Sequence, residues 1–189
     1  GWGLTDQEIT LRYTARFRNQ SSAYLSVNRV YVKLTSPYDP SNSDGLEYEA
    51  GDDFTYWYIY SNYRSDTRKP LTFYARGMLG GYFDGERYTL SGDLEYKFRP
   101  YVNLSMDVAY NKVIQPKPYN SVNYWLVGPK LDITFTRNIY LATLVQYNSQ
   151  RESLNVNARF QWRYAPVSDL YLVYTDDYYT HVFAPRSRA

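Results

Sequence analysis

The sequence predicts an all-β protein, namely a transmembrane antiparallel up-and-down β-barrel of which about ten strands are present, in a barrel of about twelve or more. Three observations favour this fold. Apolar and polar residues alternate over long segments. Aromatic residues are abundant, with 24 Tyr, 8 Phe and 4 Trp among 189 residues. No apolar run approaches the ~18 residues of a membrane helix.

The ten strands are predicted from this alternation and from the turn residues between them. In the first strand, apolar residues from Ile9 to Phe17 alternate with polar residues from Thr10 to Arg18. Because successive side chains on a strand point to opposite faces, each strand gains one apolar and one polar face. The predicted strands span residues 8–18, 23–35, 53–63, 70–82, 87–99, 101–111, 121–135, 138–148, 152–164 and 169–178.

The later strands differ in how regular this alternation is. The fifth strand, with its apolar face from Tyr88 to Phe98, and the ninth strand show it most clearly, whereas the second and tenth are less regular. The seventh strand changes phase at Gly128-Pro129. Since proline cannot donate a hydrogen bond to a neighbouring strand, this change predicts a β-bulge.

Strand length and aromatic strand ends favour a membrane barrel over a soluble β-sandwich, which would also alternate. About ten to thirteen residues at ~3.3 Å each, tilted by ~40°, cross the ~25 Å apolar band of an outer membrane. Aromatic residues near strand ends are typical of the girdles at the two interfaces. The predicted lipid-facing or girdle residues are Phe17, Tyr96, Phe98, Phe160, Trp162 and Tyr164, together with Tyr24, Tyr110 and Phe135 at other strand ends.

The polar faces carry charges in the middle of strands, and a closed barrel can hold such charges in its interior. Two interpretations stay open: a salt-bridge lattice that fills the barrel, or a conduit for polar solutes. The mild excess of arginine favours anions in the second case. The predicted lumen-facing charged residues are Arg12, Arg16, Arg18, Asp93, Glu95, Lys97, Asp107, Arg159 and Arg163.

The turns alternate in length, which predicts the sidedness of the sheet. Short turns at residues 19–22, 64–69, 99–101, 136–138 and 165–168 alternate with a set that includes the long connections 36–52 and 113–120. Short turns of outer-membrane barrels face the periplasm, and long loops face outward. Both chain ends then lie on the outer side, so we expect a barrel fragment that lacks strands at both ends, over a single domain of residues 1–189.

Two stretches resemble a known family. Asn157–Tyr178 (NARFQWRYAPVSDLYLVYTDDY) is similar to the final hairpin of large outer-membrane barrels of Bacteroidota and related Gram-negative bacteria, and Asp66–Asp107 is similar to their earlier strands. In that family the barrel follows a domain that resembles a carbohydrate-binding module of family nine. The resemblance implies a C-terminal outer-membrane barrel domain, but it transfers no activity to any residue here.

The predicted function is therefore that of a porin-like pore or transporter, or of a membrane anchor for an associated domain or complex, in the bacterial outer membrane. The alternatives are a surface protein that binds glycans or partners, and a soluble all-β binding protein. The expected partners are membrane lipid, other outer-membrane proteins and possible glycans. A net charge of +2 gives no support to nucleic-acid binding, and we expect neither a cofactor nor an enzyme.

Three other groups of residues suggest chemistry, and each has a simpler explanation. His181 with Asp176 and Asp177 resembles part of a metal site, or of a hydrolase site, but a solvated loop is favoured. Asp39–Gly45 (DPSNSDG) resembles a calcium loop in composition, and turn chemistry explains it equally well. The cluster at residues 56–60, with Tyr56, Trp57, Tyr58 and Tyr60, suggests a sugar platform, but lipid contact is favoured.

Overall fold

The computed structural model describes residues 4–179, which form ten antiparallel β-strands in one sheet and no helix. The strand order follows the chain order, from β1 to β10, so every connection is of the up-and-down type. The described part of the chain has no helix that is long and apolar enough to cross a membrane. The strands are β1 Asp6–Arg16, β2 Ser22–Lys33, β3 Asp53–Arg64, β4 Leu71–Tyr82, β5 Gly85–Phe98, β6 Val102–Ile114, β7 Val122–Thr136, β8 Ile139–Asn148, β9 Ser153–Ala165 and β10 Ser168–Tyr179.

The sheet is open in the described chain. Over residues 4–179, β1 pairs with β2 and β10 pairs with β9, and these two outer strands are not paired with each other. The all-β class and the up-and-down order predicted from the sequence are confirmed. Barrel closure is not present in this sheet.

The first turn corrects the predicted end of the first strand. β1 ends at Arg16, and the amide of Phe17 donates to the carbonyl of Ser21 (2.9 Å), while the amide of Gln20 donates to the carbonyl of Phe17 (2.9 Å). Because of these turn hydrogen bonds, β1 ends two residues before the predicted end of the first strand at residue 18. Phe17 and Arg18 therefore lie in the turn, and their assignments to opposite strand faces do not apply.

The predicted bulge at Gly128-Pro129 is wrong. β7 keeps one register with β8 from Leu126, opposite Asn148, to Thr134, opposite Tyr140, and the shift occurs between Thr134 and Thr136. Proline has no backbone N–H, so a strand tolerates it at a position where that group is not required for a hydrogen bond to the neighbouring strand. The irregularity instead precedes the Arg137-Asn138 turn.

The described chain divides into two compact units, each made of parts of several strands. The first comprises residues 4–66, 74–91 and 110–123, and the second comprises residues 67–73, 92–109 and 124–179. In the first unit Ser26 and Asn28 are each 3% exposed, whereas Leu11 is 76% and Leu90 64% exposed. The polar face of this unit is thus its buried face.

The second unit shows the same inversion. Thr72 is buried, whereas Leu94, Phe98 and Leu172 are exposed, the last two with exposed fractions of 55% and 60%. Within residues 4–179, the buried apolar side chains are those of Tyr48, Val113 and Pro40, and all three belong to the first unit. Neither unit has the apolar core that holds a soluble β-sandwich together.

Candidate functional site

The candidate site is a group of tyrosine and arginine side chains on the polar face of the first unit. Residues directly opposite each other in an antiparallel pair point to the same face. Tyr24 lies opposite Asn62 and Tyr60 opposite Ser26 in the pairing of β2 with β3. We call the group the tyrosine–arginine patch, and it consists of Arg12, Tyr24, Tyr60, Arg64, Tyr74 and Arg76.

The three tyrosine rings of the patch form a row across β2, β3 and β4. The rings of Tyr24 and Tyr60 meet edge to face, with centroids 5.7 Å apart. The hydroxyl oxygens of Tyr60 and Tyr74 are 3.5 Å apart, and the side-chain amide of Asn62 donates to the Tyr60 hydroxyl (3.4 Å). The row is therefore continuous, through a ring contact between Tyr24 and Tyr60 and a hydroxyl contact between Tyr60 and Tyr74.

Each arginine of the patch rests on a tyrosine ring. The guanidinium carbon of Arg12 is 5.7 Å from the ring centroid of Tyr24, and those of Arg64 and Arg76 are 4.8 and 5.6 Å from that of Tyr74. Arg76 also donates through Nε to the hydroxyl of Ser91 (2.6 Å). The attraction between a cation and a ring face orients these guanidinium groups while they stay exposed.

A second group in the first unit, the aromatic loop cluster, is formed by Tyr38, Tyr48, Phe54, Phe83 and Tyr119. Tyr48 is its centre, 3% exposed, with ring centroids 4.0 Å from Tyr119, 4.8 Å from Phe54 and 6.1 Å from Phe83. Its hydroxyl donates to Oε1 of Gln115 (3.0 Å). Because the ring of Tyr48 is occupied by its neighbours, this cluster orders the loop rather than offering a free platform for a sugar.

The long loop between β2 and β3 is held by this cluster and by Asp39. Tyr38 and Tyr48 pair through two backbone hydrogen bonds of 3.1 and 2.9 Å. The Asp39 carboxylate accepts from the amides of Ser41 (2.8 Å), Ser43 (3.0 Å) and Gly45 (3.3 Å). These donors support the turn interpretation of the DPSNSDG stretch, since they occupy the carboxylate that a calcium loop would use.

Two pKa values in this loop are shifted. Burial raises the pKa of Tyr48 to about 12, with a further contribution from the charge of Asp84. Burial also acts to raise the pKa of the Asp39 carboxyl, but the hydrogen bonds from Ser41, Ser43 and Gly45 outweigh it, and the net pKa is lowered. Folding of the loop thus favours a neutral Tyr48 and an ionised Asp39.

The polar face of the second unit has a different character, because three of its cations are paired with carboxylates. Nζ of Lys97 lies 2.8 Å from Oε2 of Glu95, and Nζ of Lys130 lies 3.0 Å from Oδ2 of Asp132. The third pair, 3.2 Å apart, joins Arg163 of β9 to Asp169 of β10. These are three separate ion pairs, and the salt-bridge lattice that would fill a barrel stays a prediction.

The structure places most of the predicted charged residues as expected from alternation. Arg12 lies opposite Ser26 and Arg16 opposite Ser22, on the polar face of the first unit. In the second unit, the Glu95 carboxylate accepts hydrogen bonds from the side chains of Thr72 and Asn103. The guanidinium carbon of Arg159 lies 4.7 Å from the ring centroid of Tyr171. Asp93, Lys97, Asp107 and Arg163 share the strand phase of these polar-face residues.

The predicted girdle residues lie on the apolar faces, apart from Phe17 in the turn and Tyr24 on the polar face. Tyr96 contacts Phe98 with centroids 4.3 Å apart, and Trp162 contacts Tyr164 at 6.0 Å. Phe160 lies between two apolar neighbours, opposite one residue on each adjacent strand. These neighbours are Leu141 of β8 and Leu172 of β10.

Sequence reasoning assigned several tyrosines to the wrong face. Tyr24 was expected at an apolar strand end, but it stands under Arg12 on the polar face. Tyr56, Tyr58 and Tyr60 were expected to contact lipid together with Trp57. Instead, Tyr58 donates to Glu8 (2.8 Å) on the polar face, and alternation puts Tyr56 and Tyr60 beside it, leaving only Trp57 on the apolar face.

The alternating pattern does not identify residues whose importance depends on pairing between strands. Arg64, Tyr74 and Arg76 come together because Arg64 lies opposite Tyr74 in the β3–β4 pairing. Lys130, Asp132 and Asp169 likewise meet their partners across or along strands. An alternation of period two, applied to every second residue of β4, could have found Tyr74 and Arg76 on one face.

The apolar face carries charged residues that the alternating pattern did not predict, among them Arg29 and Asp176. Arg29 of β2 lies between Ile9 and Trp57, and Asp176 of β10 lies opposite Val156. The Asp176 carboxylate accepts a hydrogen bond from the hydroxyl of Tyr174 (3.0 Å). The metal or hydrolase hypothesis that joined Asp176 to His181 falls partly outside the described residues, because His181 is not among them.

Comparison with known proteins adds no further assignment. No protein-family model, no curated protein and no solved structure matches this chain. Function is therefore inferred from the faces of the sheet and from the chemistry of their side chains.

Proposed function

We propose that this chain is an integral β-barrel protein of the bacterial outer membrane and that it acts as a pore or transporter for polar solutes. A membrane anchor for an associated domain or complex is the second candidate, because it requires the same insertion without an open passage. The ion pairs on the polar face of the second unit favour the anchor role, because ion pairs that fill the lumen of a barrel would obstruct the passage of solutes.

The observation that carries the proposal is the inverted burial of the two faces. Leu11 and Leu90 point away from protein contacts in the first unit, as Leu94 does in the second, while serine and asparagine are buried. In water, each exposed side chain of this size forfeits about 1.5–3 kcal/mol relative to burial. In lipid the same exposure is favourable, which supports a membrane as the solvent of this face.

Strand length supports the same conclusion. The strands range from 10 residues in β8 to 15 in β7. Globular strands average about 5–6 residues, whereas membrane barrels use about 9–11 or more, tilted by about 45°. Strands of 10 to 15 residues are long enough to cross the apolar layer of an outer membrane.

The open edges of β1 and β10 set a condition on this function. Unpaired backbone groups cost several kcal/mol each in hydrocarbon, so neither edge is stable in lipid unless it is paired. We propose that the edges are closed in the membrane, by each other or by further strands. The resemblance of Asn157–Tyr178 to the final hairpin of Bacteroidota barrels, in the family with a module-nine-like domain, fits this proposal.

The proposal is tested by asking whether the apolar face contacts acyl chains. Trp57, Trp125 and Trp162 are exposed residues of that face, and Trp2→Phe removes the remaining tryptophan. Refolding this variant into vesicles whose acyl chains are brominated should quench its fluorescence strongly. Vesicles with unbrominated chains are the control. A monomer that stays soluble without detergent and is not quenched would contradict the proposal.

Planar-bilayer recording then separates the two roles. Stepwise conductance after insertion is expected for a pore, and a closed bilayer with quenched tryptophans would leave the anchor role. The surface-binding alternative, in which outer loops engage glycans, predicts retention on a glycan array. The closed packing around Tyr48 disfavours that loop as the glycan platform.

A further inference from the structure

We infer that the tyrosine–arginine patch binds the oxyanion group, a carboxylate or a phosphate, of a small anionic solute. This inference deepens the proposed function, since it names the class of solute that the polar face of the first unit would select. Transport of that solute rests on the proposed function, whereas binding of the solute to the patch does not.

The three arginines of the patch form no ion pair within residues 4–179. Among the described residues, the recorded contacts of Arg12, Arg64 and Arg76 are tyrosine rings and the hydroxyl of Ser91. The nearest acid of β1 on this face, Glu8, accepts from the hydroxyl of Tyr58 (2.8 Å). The patch thus presents three exposed guanidinium groups, none of which forms an ion pair in the described part of the chain.

The second unit of the same chain provides a contrast. There Lys97, Lys130 and Arg163 each lie within 3.2 Å of a carboxylate. The second unit also places one arginine, Arg159, on a tyrosine ring, but the first unit gathers three arginines on the tyrosine rings of one patch. These three guanidinium groups are available to an external anion. Unpaired like charges this close also repel each other, and a bound anion would relieve that repulsion.

The geometry of the donors supports the same inference. A guanidinium group that rests on a ring keeps its in-plane N–H groups free, and two of them match a carboxylate or phosphate in a bidentate manner. The hydroxyls of Tyr60 and Tyr74 add another donor. They share one hydrogen bond between them, so the described contacts leave one of their two protons without an acceptor.

These donors select the class of ligand. A metal cation is excluded by three positive charges, and a neutral sugar would leave them uncompensated. An oxyanion satisfies both the charge and the hydrogen bonds, as charge-assisted bonds of this type are about twice as strong as neutral ones. Inorganic phosphate and glucuronate both carry this group, and they differ in whether a sugar ring accompanies it.

The test is isothermal titration of the full 189-residue chain in detergent micelles, in a buffer free of phosphate. Sodium phosphate, sodium glucuronate and glucose are titrated in turn. We expect one or both anions to bind and glucose not to bind. Tighter binding of glucuronate than of phosphate would identify a sugar acid, and the reverse order would identify a phosphorylated or inorganic ligand.

Variants locate the binding in the patch. The double variant R64Q/R76Q should weaken anion binding by on the order of tenfold or more, because it removes two charge-assisted donors. The matched control is R163Q, which removes an arginine that is already paired with Asp169, and it should bind as the unaltered chain does. Near-UV circular dichroism checks that each variant is folded. R64K/R76K keeps the charge but loses the planar guanidinium group, so its affinity for the anion should lie between those of R64Q/R76Q and the unaltered chain.

Three results would overturn the inference: no binding of either anion, equal binding of glucose, or equal loss in R163Q and R64Q/R76Q. Its failure is distinguishable from failure of the proposed function. Quenching by brominated lipid without anion binding removes the patch as a binding site and leaves the membrane protein. Anion binding in micelles without quenching removes the membrane role and leaves the binding site.

Discussion

Arg64 on β3 lies directly opposite Tyr74 on β4, and its guanidinium carbon stands 4.8 Å from the centre of that ring. Arg76 approaches the same ring at 5.6 Å. One tyrosine thus positions two cations that no carboxylate among the described residues neutralises. This relationship distinguishes the patch from the second unit, in which Lys97, Lys130 and Arg163 are paired with acids.

Removing that ring should destabilise the patch. Tyr74→Leu keeps an apolar side chain but loses two cation–ring contacts, each worth about 0.5–1 kcal/mol at an exposed site. We expect the free energy of unfolding in micelles to fall by about 1–2 kcal/mol, measured by urea titration. Tyr74→Phe is the control, since it keeps the ring, and an equal loss in both variants would point to the hydroxyl instead.

The two faces of β5 should respond differently to charge in lipid. Leu94 is 49% exposed on the apolar face, and its neighbour Asp93 shares the polar face with Glu95. Leu94→Arg should cost about 2–4 kcal/mol if this position lies near the middle of the bilayer, whereas Asp93→Asn should be tolerated much better. Urea unfolding from lipid vesicles measures both, and equal effects would contradict the face assignment.

The aromatic loop cluster should open at alkaline pH. The pKa of Tyr48 is raised to about 12, above its unfolded value of 10.0, so the folded state favours the neutral phenol. This contribution is fully present below pH ~10 and is lost as the pH rises through ~12, because only the unfolded loop can then ionise freely. Near-UV circular dichroism should report the loss.

Tyr48→Phe provides the control for this pH dependence. Phenylalanine cannot ionise, so the component of the alkaline transition that belongs to position 48 should vanish in the variant. The variant also removes the hydrogen bond to Gln115, which lowers stability at neutral pH by about 0.5–1.5 kcal/mol. An unchanged alkaline transition would show that other tyrosines cause it.

Gly80 of β4 should not accept a side chain. Its φ of 146° is rarely adopted by other residues, and an added Cβ would lie 2.5 Å from the carbonyl oxygen of Trp57 and 2.6 Å from the Cα of Tyr58. Gly80→Ala should therefore destabilise the β3–β4 pairing by about 1–3 kcal/mol. Gly77→Ala is matched to it on the same strand, because its Cβ would meet nothing closer than 3.7 Å. Urea unfolding should separate the two variants, and equal stability would contradict the close approach at Gly80.

How far the sequence predicts this fold is clearest in β5 and β9. Their apolar and polar residues alternate without interruption, and the faces observed are those expected. Alternation is a local property of the extended backbone, so it requires no knowledge of neighbouring strands. The same rule failed at Tyr58, because a strand with aromatic residues at consecutive positions offers no contrast between its faces.

Turns and register account for the other errors. Phe17 and Arg18 continued an alternating pattern, but the hydrogen bonds of the turn ended β1 before them. The phase change at Gly128-Pro129 suggested a bulge, yet pairing with β8 kept the strand in register there. At Phe17 the hydrogen bonds of a local turn decided between conformations that the alternating pattern allowed, and at Gly128 the pairing with a neighbouring strand did so.

The sequence alone determined that the chain forms long amphipathic antiparallel strands in chain order, since period-two patterning and turn residues act over a few neighbours. Only the tertiary structure decided that Arg12, Arg64 and Arg76 rest on a row of tyrosines, and that Lys130 and Arg163 meet acids. The physical reason is that register between strands fixes which side chains lie opposite each other. A shift of one residue would send every side chain to the other face.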